Sequence, residues 1–133
     1  MIVVGILGYG TMGKIRYENL INYPGVKIKY VYDPLISNSN VVNTKSIEDV
    51  FNDKEINTLF ICTPNKFNFE YTKRGLLNGK NIFCEKPPAF TSKEVLELIK
   101  IEKDTSLKLM YGFNHRHHKS IQFIKENVES GEF

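Results

Sequence analysis

The sequence predicts an α/β fold: a doubly wound, mostly parallel sheet with helices on both faces. Three observations predict it. Short apolar runs recur at residues 2–7, 26–32, 58–62, 81–84 and 108–113, each brief enough for a strand. The stretches between several of them place apolar residues at helical spacing. The first run passes straight into GYGTMG, where Gly8, Gly10 and Gly13 mark a turn that opens a helix. Strands that alternate with helices lie parallel, with the helices as crossovers.

The elements follow in order. Residues 2–7 (IVVGIL) read as a buried strand and residues 12–21 as a helix, ended by Tyr23-Pro24-Gly25. A second strand, 26–32, closes on Asp33. Residues 34–45, rich in Asn and Ser, read as a loop. Ser46 is placed to N-cap a short helix over 46–51, with Asp49 standing where a capping box has Glu. Residues 58–62 (TLFIC) are continuously apolar, as a parallel strand covered on both faces requires. Thr63-Pro64-Asn65 breaks that strand, and a helix over 66–78 stops at Gly79. Residues 81–84 form another strand. Glu85-Lys86-Pro87-Pro88 is irregular, because each proline lacks a donor. Thr91 and Glu94 have capping-box spacing, and the helix behind them should bury Val95, Leu98 and Ile99. Strand 108–113, a polar loop at 114–118 and a helix over 119–130 follow. That helix carries Ile121, Ile124 and Val128 on one face and stops at Gly131.

The first 33 residues carry a recognisable chemistry. A strand, a G-x-G-x-x-G turn, a helix, a second strand and an acid 20 residues past Gly13 form a dinucleotide-binding unit of the Rossmann type. Gly8 permits the tight turn, Gly10 admits a pyrophosphate close to the backbone, and Gly13 lets helix and strand approach. Unpaired N–H groups at the helix start face the phosphates. Tyr9, Thr11 and Met12 lie within the same loop. A carboxylate at Asp33 accepts from a ribose 2′-OH and repels a 2′-phosphate, and no Lys or Arg follows until Lys45. NAD is therefore expected over NADP. The competing reading of Asp33, a turn former before Pro34, is compatible with this role.

Composition narrows the class. The 133 residues make one domain, 41% hydrophobic and 25% charged, with a net charge of +3. No apolar run reaches the ~20 residues of a bilayer span. The start MIVVGILGYG lacks the basic leader of a signal peptide, so a cytoplasmic protein is expected. The lysines are dispersed, which argues against nucleic acid. Cys62 and Cys84 read as small buried apolar residues and not as a disulfide framework. The histidines of HRHH have no carboxylate or Cys near them in sequence, and no metal site is expected.

In a parallel sheet of this kind a ligand binds beyond the carboxyl ends of the strands. That rule gathers the glycine turn, Asp33, Thr63-Pro64-Asn65, Glu85-Lys86-Pro87 and residues 114–118 at one rim. GYGTMG, Asp33, CTPN (62–65), EKPP (85–88) and GFNHRHH (112–118) stand in the order found in one family. The chain resembles the N-terminal half of a Gfo/Idh/MocA-type oxidoreductase over essentially its whole length.

The resemblance implies NAD or NADP in this domain. It implies hydride transfer between nicotinamide and a hydroxyl-bearing carbon of a sugar, nucleotide sugar or cyclitol. Lys86 matches the family's Lys beside the nicotinamide and the reacting hydroxyl, with Glu85 orienting it; the competing reading is a solvated surface lysine. Thr63, Pro64 and Asn65 match the loop along the cofactor, and Asn65 also suits a helix N-cap. Asn114, His115 and Arg116 match the border of the substrate pocket. The family's C-terminal domain, with its general acid/base and usual oligomer interface, is absent from residues 1–133. The isolated chain is therefore expected to bind NAD and turn over little substrate, and the longer parent to be a homo-oligomer. The alternative is a non-catalytic NAD-binding sensor that keeps the fold.

Overall fold

The computed structural model describes residues 1–36 and 41–132. The chain runs β1 (Ile2–Leu7), α1 (Thr11–Ile21), β2 (Val26–Tyr32), α2 (Ile47–Asn52), β3 (Thr58–Ile61), α3 (Asn68–Leu77), β4 (Asn81–Cys84), α4 (Ser92–Lys103), β5 (Leu109–Tyr111) and α5 (Lys119–Ser130). The strands form one sheet in the order β2-β1-β3-β4-β5, and every pairing is parallel. The chain leaves β1 towards β2 and then crosses back to β3. The switch point thus lies between β1 and β3, where a crevice opens at the strand ends.

Alternation along β1 divides the core. Val4 and Ile6 face one side, with Val31, Tyr17 and Leu20. Val3 and Leu7 face the other, with Val50, Phe51, Leu59, Leu76 and Leu98. Successive strand residues point to opposite faces, so helices cover both. Gly5 leaves room for α2: a Cβ there would lie 2.5 Å from Val50 Cγ1.

Several local expectations are revised. The 34–45 stretch is not all loop. Val31 N–H donates to Val42 O (2.9 Å) and Thr44 N–H to Val31 O (3.0 Å), which makes a single parallel bridge at the β2 edge. Residues 37–40 of that stretch lie outside the described residues. The 46–49 capping box does not form. Ser46 Oγ accepts from Glu48 N–H, and the Asp49 carboxylate takes the Thr44 hydroxyl instead. The box at Thr91 and Glu94 does form. In α4 Leu98 is buried but Ile99 is 40% exposed, and Ile101 joins the core in its place. The helix over 66–78 is two pieces, a 3-10 turn at Asn65–Phe67 followed by α3. Gly131 ends α5 with φ +78, but Ile121, Ile124 and Val128 on that helix remain exposed. No helix is long and apolar enough to cross a membrane among the described residues.

Candidate functional site

One row of hydrogen bonds gathers the loops at a single rim. Gly8 N–H donates to Tyr32 O (2.8 Å), Cys62 N–H to Leu7 O (2.7 Å), Glu85 N–H to Ile61 O (2.9 Å) and Gly112 N–H to Cys84 O (2.9 Å). Each donor is the residue just after its strand, and each acceptor is the last carbonyl of the neighbouring strand. The loops therefore leave the sheet side by side.

The glycine turn shows what each glycine does. Gly8 has φ +88, and a Cβ there would meet Cys62 O at 2.6 Å. Gly13 packs so tightly that a Cβ would lie 2.1 Å from Gly8 O. Gly10 differs: it has an ordinary φ of −69, and a Cβ there meets nothing within 4 Å. Nothing inside the described residues demands glycine at position 10, so the open space before it fits the approach of a ligand. Lys14 N–H makes the first intrahelical bond, to Gly10 O (3.0 Å). The N–H groups of Thr11, Met12 and Gly13 have no partner in the helix, and the first turn holds no acid. This end of α1 favours an anion.

Asp33 adjoins the glycine turn. Its Oδ2 accepts from Tyr9 N–H (2.7 Å) and its Oδ1 from Leu35 N–H (2.8 Å). The second bond is an Asx turn, so the turn-forming role is realised, and each oxygen keeps lone pairs. A cleft of about 630 Å³ lies between these parts, lined by Gly8, Gly10, Thr11, Met12, Asp33, Thr63 and Pro64. The Thr63 hydroxyl is buried without a partner among the described residues. An open cradle, a helix start with free donors and a carboxylate with spare acceptors fit a dinucleotide.

Other expected residues stand elsewhere. The Tyr9 ring packs edge-on against Tyr17 at 5.7 Å, so Tyr9 reaches the site through its backbone. Asn65 is exposed and caps nothing: Pro64 holds the N-cap position of the 3-10 turn, with no side-chain cap. Glu85 is 7% exposed and turned inward, where Arg16 Nη2 (2.6 Å) and Nε (2.8 Å) donate to its Oε1.

Lys86 is exposed and lines a second cleft of about 390 Å³ with Gly112, Phe113, Asn114, His115 and Arg116. The buried Asn68 amide holds its loop, donating to Glu85 O (3.0 Å) and Pro87 O (2.8 Å) across the cis Lys86–Pro87 peptide. Gly112 makes space for the Glu85 carboxylate, since a Cβ there would lie 2.7 Å from Oε2. Arg16 Nη2 also reaches Asn114 Oδ1 at 3.4 Å, and its guanidinium lies 4.7 Å from the Phe83 ring centroid. Burial pushes the thiols of Cys62 and Cys84 up to about 12, so both are protonated at neutral pH.

Sequence reasoning missed Arg16, Asn68 and the apolar wall of the first cleft, formed by Tyr32, Leu35, Phe67 and Tyr71. Phe67 and Tyr71 stack at 5.3 Å, and their i, i+4 spacing beside Thr63-Pro64-Asn65 was an available signal. Arg16 lies three residues past Gly13, one turn into the helix. Nothing in the sequence marks its pairing with a residue 69 positions away.

Comparison with known proteins finds one family over most of the chain. The model of the Gfo/Idh/MocA family, described as an oxidoreductase family with an NAD-binding Rossmann fold, matches residues 2–113. An uncharacterized oxidoreductase of Bacillus subtilis, YrbE, is 34% identical over 98% of this chain and 41% of its own length. An inositol 2-dehydrogenase of Rhizobium meliloti is 26% identical over 96% of this chain and 40% of its own. A crystal structure of an oxidoreductase from Bacillus cereus superposes with a TM-score of 0.86 at 26% identity, covering 98% of this chain and 40% of that one. The chain thus spans about 40% of the length of the curated relatives it matches.

Proposed function

The chain belongs to the Gfo/Idh/MocA oxidoreductase family, and from that premise we propose that it is the cofactor-binding part of an NAD-dependent dehydrogenase. The substrate class is a sugar, nucleotide sugar or cyclitol, and the similarity to an inositol 2-dehydrogenase supports a polyol. The observation that carries the reading is Gly10, open to the cleft that Asp33 also lines, with each Asp33 oxygen keeping acceptor capacity.

In this reading the pyrophosphate lies against the free N–H groups of Thr11 and Met12 at the start of α1. Asp33 accepts from the ribose hydroxyls, and its charge disfavours the 2′-phosphate of NADP. Leu35, Phe67 and Tyr71 supply apolar surface, while Thr63 offers its unpaired hydroxyl. The bound nicotinamide supplies a carbon that takes or gives a hydride. Lys86 donates to the reacting oxygen and stabilises negative charge there as the C–H bond breaks. Asn114, His115 and Arg116 bind the substrate's remaining oxygens. The relatives carry sequence beyond the matched part. A second domain of that kind would supply the general acid/base and the oligomer interface, so residues 1–133 alone turn over little substrate. A cytoplasmic location belongs to the same proposal.

Calorimetric titration with NAD and NADP, beside Asp33→Ala, tests it. NAD is expected to bind more tightly, and the substitution to remove the preference. If neither nucleotide binds, the reading is withdrawn.

A further inference from the structure

The cleft lined by Lys86, Gly112, Phe113, Asn114, His115 and Arg116 carries two fixed cations and no carboxylate. Lys86 and Arg116 donate only. The Asn114 carbonyl oxygen takes one bond from Arg16 at 3.4 Å and keeps a second acceptor site beside its two amide N–H groups. Glu85 is next to Lys86 in sequence, but it is buried and bonded twice to Arg16 and does not line the cleft. Among the lining side chains Asn114 and, when neutral, His115 offer acceptors, and neither carries negative charge.

A neutral polyol can bond to such a surface, but it leaves the two cationic side chains without a counter-charge. An oxyanion accepts only. It meets guanidinium, ammonium and amide donors with charge-assisted bonds, and Arg can grip a carboxylate or phosphate at two points. We propose that this cleft takes a substrate whose sugar or cyclitol skeleton carries an oxyanion, either a carboxylate or a phosphate. Arg116 and His115 hold the oxyanion, and Lys86 meets the reacting hydroxyl. The inference rests on the dehydrogenase reading above and narrows its substrate class.

The test uses the 133-residue chain, isotopically labelled and loaded with NADH, with residues 112–116 followed by NMR. It is titrated separately with glucuronate, glucose 6-phosphate, glucose, myo-inositol and inorganic phosphate. The two anionic sugars are expected to bind at least about tenfold more tightly than glucose or inositol. Arg116→Gln should remove most of that margin, and Arg116 is exposed, so the substitution threatens no buried contact. His115→Asn serves as a second variant and should also narrow the margin. A preference for glucuronate alone assigns a carboxylate, and one for glucose 6-phosphate alone a phosphate. Equal binding of the neutral compounds overturns the inference. So does a loop that none of the sugars perturbs, or inorganic phosphate binding as tightly as glucose 6-phosphate. NADH binding in the same sample separates the two levels: its failure strikes the dehydrogenase reading, whereas loss of the anion preference strikes only this one.

Discussion

Arg16 and Glu85 form a largely buried ion pair, Nη2 to Oε1 at 2.6 Å, with side chains 17% and 9% exposed. It joins the helix that follows the glycine turn to the loop that carries Lys86. Arg16→Met would leave the Glu85 carboxylate buried without its partner. The expected loss is about 3–5 kcal/mol, read from denaturant unfolding. Replacing both residues with apolar ones should recover much of it. If the single and double variants are equally unstable, the pairing is not what Glu85 requires.

The glycines separate stability from binding. Gly10→Ala places a methyl in open space at an allowed φ, so unfolding should change by less than about 1 kcal/mol. NAD affinity should nevertheless fall by about tenfold or more, because the methyl stands where the pyrophosphate would lie. Gly8→Ala does the reverse in kind. It combines φ +88 with a contact of 2.6 Å to Cys62 O and should destabilise the fold itself. Thermal unfolding and calorimetry on both variants check the contrast.

Asn68 is fully buried, and its amide holds two carbonyls of the Lys86 loop. Asn68→Ala leaves both oxygens without their donor, at a cost of about 1–3 kcal/mol. The chemical shifts of Glu85 and Lys86 should move in its spectrum while those of the glycine turn stay in place. Shifts spread evenly over the domain would contradict a local tether.

Cys84 gives a pH dependence of known sign. Its ordinary pKa is 9.0, and burial pushes it up to about 12 in the folded chain. Between those values the unfolded state has released the proton and the folded state still holds it. Stability therefore falls as pH rises through that window. Cys84→Val should remove the share of this alkaline loss that Cys84 contributes in denaturant titrations and leave that of Cys62. At neutral pH a thiol-disulfide reagent should modify Cys84 only as fast as the domain opens.

Much of this molecule was legible from its residues. Strand periodicity, the prolines and glycines at element ends and the Thr91–Glu94 box are local signals, and each reads within one turn or one strand. The lining of the first cleft was legible for a similar reason: Gly8 and Gly13 are required by contacts of the turn itself, and Gly10 and Asp33 follow from the same short strand–turn–helix–strand unit. What the chain shows only when folded are pairings between distant segments. The bridge of Val31 to residues 42–44, the exposure of Ile99, the inward turn of Glu85 and the tether from Asn68 depend on which surfaces meet across the sheet. A sequence states that Glu85 and Arg16 are charged. Only the packed sheet brings them together in a buried setting, and that pairing leaves Lys86 and Arg116 without a carboxylate in the cleft they line.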